Sequence, residues 1–282
     1  MKTSIETIDF QGIEALCLNG PRGSRAVVAK RGGQVLSWTA ADGRERLFLS
    51  DRAVGDGSAA IRGGIPVCFP QFAALGDLPR HGLVRTREWQ VGGRSCGDDY
   101  AMVTLLVEDD AASRALWPHP FRAEITVGLE ADRLDIELGI DNPGDSPFQF
   151  TAALHTYLRV VQVEDVALEG LYGFTYRDAA DGNRQRRETG TALLVEGETD
   201  RIYQDVRRPL LLQAGNLSLG IHAEGFPDVV VWNPWVERSA QIPDLPANGW
   251  RHMLCVEAAA VHRPVAVAAG GSWSGRQTLV VL

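Results

Sequence analysis

Between Arg62 and Trp89 the chain reads RGGIPVCFPQFAALGDLPRHGLVRTREW, which sets Arg62, Arg80, His81, Arg85 and Arg87 among glycines and prolines. A guanidinium group presents a planar fork of donors that matches a phosphate or a carboxylate. Glycine beside it lets backbone approach a ligand closely. The segment therefore reads as the wall of a pocket that accepts an anion. Arg62 and Arg85 bracket the loop and can converge on one anion. Arg80 and Arg87 can join them or lie on the surface. His81, in PRHG, is either an exposed loop histidine or, given the arginines around it, part of the pocket.

Acid–base chemistry has two further candidates. In Phe148–Tyr157 residues alternate, with Phe148, Phe150, Ala152 and Leu154 on a core face and Gln149, Thr151, Ala153, His155 and Tyr157 on a smaller, more polar one. His155 is then a hydrogen-bonded histidine on a solvated sheet face or a group in a ligand cavity. The apolar run Met253–Val256 delivers Glu257, followed by small residues. A carboxylate desolvated there has a raised pKa, which suits a general base; a glutamate emerging at a strand edge fits the pattern equally well. Asp200, in ETDRIY, reads first as a helix N-cap and second as an acceptor for sugar hydroxyls. In VVVWNPW, Trp232 and Trp235 suit a sugar face or a packed strand end. His119, His222, His252 and His262 read as structural.

The elements that must carry these residues are strands. Tyr100–Glu108, Phe121–Leu129 and Arg133–Asp141 are short, apolar or β-branched, and end in turn signals, with a tight hairpin between the last two. Asn142-Pro143-Gly144-Asp145 marks a loop. Phe148–Val160 resumes as a strand, followed by candidates at Val163–Leu168, Leu210–Gln213, Leu217–His222, Val229–Trp232, His252–Ala258 and Gln277–Leu282. Thr199–Asp205 is expected to hold a short turn of helix, and the DGNRQRRETG run to be a solvated loop. No βαβ alternation, repeat or glycine-rich phosphate loop is visible. The pattern predicts an all-β protein, one large antiparallel sandwich spanning residues 1–282.

Composition narrows the partners. A net charge of −8 over 282 residues argues against nucleic acid, which demands a broadly basic face. A local arginine cluster on an acidic body suits a small anionic ligand. Cys17, Cys68, Cys96 and Cys255 are scattered without metal-ligand spacing and are expected to pack as small buried hydrophobes. No metal or other cofactor is indicated. The N-terminus lacks a signal-peptide core, and no apolar run approaches the ~20 residues of a membrane span. A cytoplasmic monomer is the expectation.

The chain resembles the glucose-6-phosphate 1-epimerases, a branch of the aldose 1-epimerase (galactose mutarotase-like) superfamily. The resemblance runs from about Arg31 to the C-terminus. It rests on RGGIPVCFPQF, LPRHGLVRTREW, FTAALHTYLRV, TDRIYQ, VVVWNPW and MLCVEAA, occurring together in that order. It implies two large curved sheets with a sugar in the concave groove. It implies His155 as general acid, Glu257 as general base, Arg62 and Arg85 on the 6-phosphate, Asp200 on sugar hydroxyls and His81 near the ring. Arg80 departs from the Gln or Ala common before the HG pair, and is expected to add a third cation to the phosphate site. The implied substrate is a hexose 6-phosphate.

Anomer exchange fits these residue types independently. A base removes the C1 hydroxyl proton, an acid protonates the ring oxygen, the C1–C2 bond rotates, and closure reverses the transfers. Both groups must face one sugar from different strands. Two competing readings remain at this point, a mutarotase for unphosphorylated aldoses and a noncatalytic sugar-binding protein. The arginines weigh against the first, since an unpaired buried cation is costly. The joint presence of His155 and Glu257 weighs against the second.

Overall fold

Alternation along the strands sets the layers. Arg133–Asp141 (RLDIELGID) buries Leu134, Ile136, Leu138 and Ile140 and leaves the residues between them partly exposed, as a strand with one face on a core must. In the computed structural model, which describes residues 2–53 and 59–282, the strands are antiparallel neighbours in three sheets. Ser4–Phe10, Ile13–Asn19, Arg25–Ala29 and Val35–Thr39 form a four-stranded meander. A nine-stranded sheet runs from Ala192–Leu194 at one edge, through Ser272–Val281 and Arg133–Asp141 in its middle, to Gln90–Cys96 at the other. An eight-stranded sheet runs from Arg184–Arg187 through Thr175–Asp178, Thr199–Tyr203, Asp228–Asn233, Met253–Val267 and Phe148–Leu154 to Val67–Cys68, and Tyr157–Arg159 also pairs with Met253–Val267. Inward residues of the two larger sheets, such as Ile125, Leu138, Phe150, Val231 and Val256, share one core. The architecture is the all-β sandwich that the alternation predicts.

Helices are short. Ala111–Leu116 starts in a capping box between Asp110 and Ser113, and Trp235–Ser239 is a single turn. Among the described residues no helix is long and apolar enough to cross a membrane.

Several expectations change. Thr199–Asp205 holds a strand, Thr199–Tyr203, and not a helical turn; Ile202 and Tyr203 are buried and the segment pairs along its length with Asp228–Asn233. Tertiary pairing overrides a weak local preference there. Arg184–Arg187 is an exposed edge strand rather than a loop, with Arg184 and Arg186 paired to Asp181; a charged edge resists further pairing. Strand 148–160 breaks at His155 and Thr156. Met253–Val267 outruns its predicted end at Ala258. Cys96 is exposed, while Cys17, Cys68 and Cys255 are buried as expected.

One polar clasp crosses the core. Gln277 projects from the nine-stranded sheet and is buried. It accepts from Thr156 Oγ1 (2.5 Å) and donates through Nε2 to Val256 O (3.0 Å). Thr156 and Val256 are the immediate neighbours of His155 and Glu257. Gln277→Leu keeps the volume and removes both bonds, leaving Val256 O unsatisfied. We expect a loss of about 1–3 kcal/mol, measured by urea unfolding; an unchanged midpoint would show that the clasp contributes nothing.

Candidate active site

His155 and Glu257 meet through strand register. Leu154 pairs with Ala258 and Tyr157 with Cys255, so His155 falls opposite Glu257 in the gap between those pairs. The gap stays in step because Val256 N donates to Thr156 O (3.0 Å), and His155 N donates to Pro66 O (2.9 Å). On its other side Glu257 is in register with Val230. His155 Nδ1 lies 3.3 Å from Glu257 Oε1, and both side chains are buried. Neither His155 Nδ1 nor Glu257 Oε2 has a hydrogen-bond partner of good geometry among the described residues. The imidazole stacks on Tyr157 (4.8 Å between centroids, 11° between planes) and meets the Trp232 ring edge-on.

Residues on this face of the sheet pack separately from the main core. Cys68, Ala153, Ile202, Val230, Ala259 and Val261 form a small cluster with Phe72, while their odd-one-out neighbours Leu154, Val231, Ala258 and Ala260 point into the sandwich. Above the small cluster lies a cavity of about 540 Å³, lined by His155, Glu257, Tyr157, Trp232, Asp200, His81, Arg62, Arg80, Arg85 and Arg238. That volume suits a ligand of monosaccharide-phosphate size. All seven site residues expected from the sequence thus reach one cavity. Arg87 does not, and pairs instead with Asp110 at 2.9 Å.

The arginines differ from one another. Arg62 is held by Asp244 through Nε (3.2 Å) and Nη2 (3.1 Å), and its Nη1 donates to the Tyr157 hydroxyl (3.1 Å). Burial opposes its charge, but Tyr157 and Asp244 outweigh that and hold it firmly protonated. Arg85 is half-buried and its pKa is lowered, first by burial. Among the described residues neither Arg85 nor the exposed Arg80 is in an ion pair. The glycines after Arg62 serve packing, not ligand approach. At φ 107° and 62°, a Cβ on Gly63 would lie 2.4 Å from Phe48 O and one on Gly64 2.1 Å from Val35 O.

Burial and these charges set the protonation states. His155 is pushed well below the usual histidine range, by burial first and then by His81, Arg62 and Arg85. Glu257 is pushed well above the usual carboxyl range by burial and then by Asp200, with Arg80 opposing. His81 is lowered to about 3 by burial, Arg85, Arg80 and Arg62. Asp200 rises to about 6 through burial, offset by Arg80 and reinforced by Glu198. The two shifts run the same way, favouring a neutral imidazole and a protonated carboxyl. Such a pair contains an acid and a base side by side.

Cys255 completes a trio with His155 and Glu257 whose donor atoms lie within 4.8 Å of one another. Metal ligands must be deprotonated, and burial drives both the Cys255 thiol and the Glu257 carboxyl upward. That donor set fits a proton-transfer site better than a cation site.

Sequence reasoning missed Asp244, whose only signal was an acid bracketed by Pro243 and Pro246. It left Trp232 open between two readings. Trp232 lines the cavity, whereas Asn233 is fully buried and donates to Trp250 O and Met253 O, and Trp235 packs on Trp250. Asp200 is a mid-strand residue facing the cavity, not a helix cap. His119, His222, His252 and His262 lie outside the cavity.

Known proteins resemble the chain throughout. It is 34% identical over 278 residues to a Cenchrus ciliaris protein named "Putative glucose-6-phosphate 1-epimerase", covering 95% of this chain and 84% of that one. An Escherichia coli K12 protein of the same name is 30% identical over 241 residues, covering 83% and 79%. The crystal structure of a "putative mutarotase" from Salmonella typhimurium superposes with a TM-score of 0.89 at 26% identity, covering 99% and 93%. Galactose 1-epimerase from Lactobacillus acidophilus shares the fold, with a TM-score of 0.73 at 14% identity over 100% and 99% of the two chains. The aldose 1-epimerase family profile matches residues 14–280, and the chain belongs to the aldose 1-epimerase family.

Proposed function

We propose that the protein interconverts the α and β anomers of a hexose 6-phosphate, glucose 6-phosphate first among them. One observation carries the reading: a single cavity holds a buried acid–base pair together with Arg80 and Arg85, cations that have no ion-pair partner among the described residues. A site for a neutral sugar would leave the half-buried Arg85 without a counter-charge. The curated relatives that share most of the chain carry the same activity in their names.

The geometry fits ring opening. O1 and the ring oxygen are both bonded to C1, so the groups that serve them must converge, as His155 and Glu257 do at 3.3 Å. In the working form Glu257 is a carboxylate that takes the O1 proton, and His155 is an imidazolium that protonates the ring oxygen. With Nδ1 turned to Glu257, the sugar is served by Nε2. Burial alone favours the other arrangement, with the proton on Glu257. A phosphate dianion against Arg85 and Arg62 offsets the charges that hold His155 down, and so favours the working form. Arg80 acts in the same direction by favouring the Glu257 carboxylate. Asp200 receives sugar hydroxyls, and Trp232 offers an apolar face. The reading assumes a monomeric cytoplasmic enzyme with one epimerase unit spanning the chain.

Glu257→Gln should lower kcat for anomer exchange by about 10²–10⁴-fold with KM little changed; near-normal turnover, followed by polarimetry or NMR exchange, would overturn its role. Arg85→Ala should raise KM for glucose 6-phosphate by about 10-fold or more, the cost of a charge-assisted hydrogen bond, and leave KM for glucose within about twofold. Equal losses on both sugars would contradict a phosphate contact. Stability supplies an independent check. Glu257 has a folded pKa above its unfolded value near 4.5, so its contribution is complete below that value and is lost as pH rises through the folded one. Glutamine has no proton to lose. The Glu257→Gln protein should therefore gain stability over the parent as pH rises from 5 to 8, seen as a growing difference in urea midpoint. A constant difference would show that Glu257 is not held protonated.

A further inference from the structure

We propose that Cys68 is a positioning residue. Together with the Ala73 backbone amide it locks His81 as the neutral Nε2–H tautomer, so that the ring presents a fixed hydrogen-bond donor to an oxygen of the sugar phosphate. The identity of that acceptor rests on the function proposed above; the tautomer does not.

Ala73 N lies 3.3 Å from His81 Nδ1 with its hydrogen directed at the ring. A backbone N–H can only donate, so Nδ1 must offer its lone pair; a proton there would set two hydrogens head to head. Cys68 Sγ sits 3.1 Å from the same nitrogen, and burial keeps the thiol protonated, hence a second donor. The imidazole proton is left on Nε2. Protein occupies the Nδ1 edge, Phe72 packs edge-on at 5.3 Å, and His81 lines the cavity.

The main chain fixes the ring's place as well. His81 N donates to Ala73 O (2.9 Å), so the two residues are tied through backbone and side chain together. His81 adopts φ 64°, in the left-handed region, and Gly82 follows at φ 81°. A Cβ on Gly82 would lie 2.1 Å from Phe69 O, which accepts from Leu83 N. This close crossing brings the PRHG turn onto the segment that carries Cys68. Cys68 pairs with Ala153 at the edge of the site's own sheet, two residues from His155. The two imidazoles lie 5.2 Å apart between centroids and divide the work: His155 exchanges a proton, and His81 keeps its own. A ring oxygen or a phosphate oxygen has no hydrogen to give, so only the Nε2–H tautomer can bond it.

Long-range proton–nitrogen NMR on the labelled wild-type protein without substrate decides the tautomer. We expect a protonated Nε2 and a bare Nδ1 for His81, unchanged from pH 5 to 9. A protonated Nδ1, or titration within that range, overturns the proposal whatever sugar the enzyme takes. Kinetics then tests Cys68. Cys68→Ala should lower kcat for glucose 6-phosphate anomer exchange about fivefold with KM within about twofold, the loss of one net hydrogen bond. Cys68→Ser retains a donor and should return kcat to within about twofold of the parent. Equal loss in both variants, or none in Cys68→Ala, would leave Cys68 a packing residue. If no hexose phosphate is turned over, the proposed function fails while the NMR result still stands on its own.

Discussion

Everything in the site depends on keeping an imidazole and a carboxyl side by side in a buried place without satisfying either. Each such group costs free energy unless it is neutral or paired, and among the described residues His155 Nδ1 and Glu257 Oε2 have no hydrogen-bond partner. Burial favours the neutral form of each. His155 Nδ1 and Glu257 Oε1 stand 3.3 Å apart on adjoining strands. That placement needs the ladder to open locally between Leu154 and Tyr157, which frees two residues from regular pairing, yet register must survive the opening. The Gln277 clasp and the Val256–Thr156 bond hold it from the opposite sheet and from the neighbouring strand.

The same economy organises the positive side of the cavity. Four arginines line it, but Asp244 and Tyr157 hold Arg62 on one flank. Arg62 is thereby oriented and much of its charge is compensated before any ligand arrives. Arg85 remains as a half-buried cation outside any ion pair among the described residues, and Arg80 as an exposed one. An anion entering such a site meets one preset fork and one charge that gains most from neutralisation. Arg62 and Arg85 also bear on His155, so the cations and the buried histidine are electrostatically one system.

Much of this was legible in the sequence, for a physical reason. Strands with one face on the core alternate strictly, and Arg133–Asp141 was placed to the residue. The seven expected site residues lie in short segments whose types are constrained by the cavity, and all seven reach it. What escaped depended on pairing at a distance. Thr199–Tyr203 reads as a turn until Asp228–Asn233 lies beside it. The opposition of His155 and Glu257 is a matter of register between strands about a hundred residues apart, invisible in either strand alone. Asp244 is a loop acid with no periodic neighbour, and only the folded chain brings it to Arg62. Gly63 and Gly64 were read as letting backbone approach a ligand, but what they approach is the protein's own backbone.

Two histidines in one cavity raise the question of which is the acid, and burial alone does not answer it, since both are driven below the usual range. The difference lies in what faces each ring. His155 Nδ1 looks at a carboxyl that can hand it a proton, so protonation there moves charge only across 3.3 Å and leaves the pair neutral overall. His81 Nδ1 looks at a backbone N–H, which can only donate, and at a thiol that burial keeps protonated. Protonating His81 would create a net cation amid Arg62, Arg80 and Arg85, with nothing beside it to compensate. On the proposed function the proton goes to His155 because of the carboxyl 3.3 Å away, and His81 serves as a dipole. Exchanging the roles would require exchanging the partners, which sit on different strands and cannot be swapped by any local adjustment.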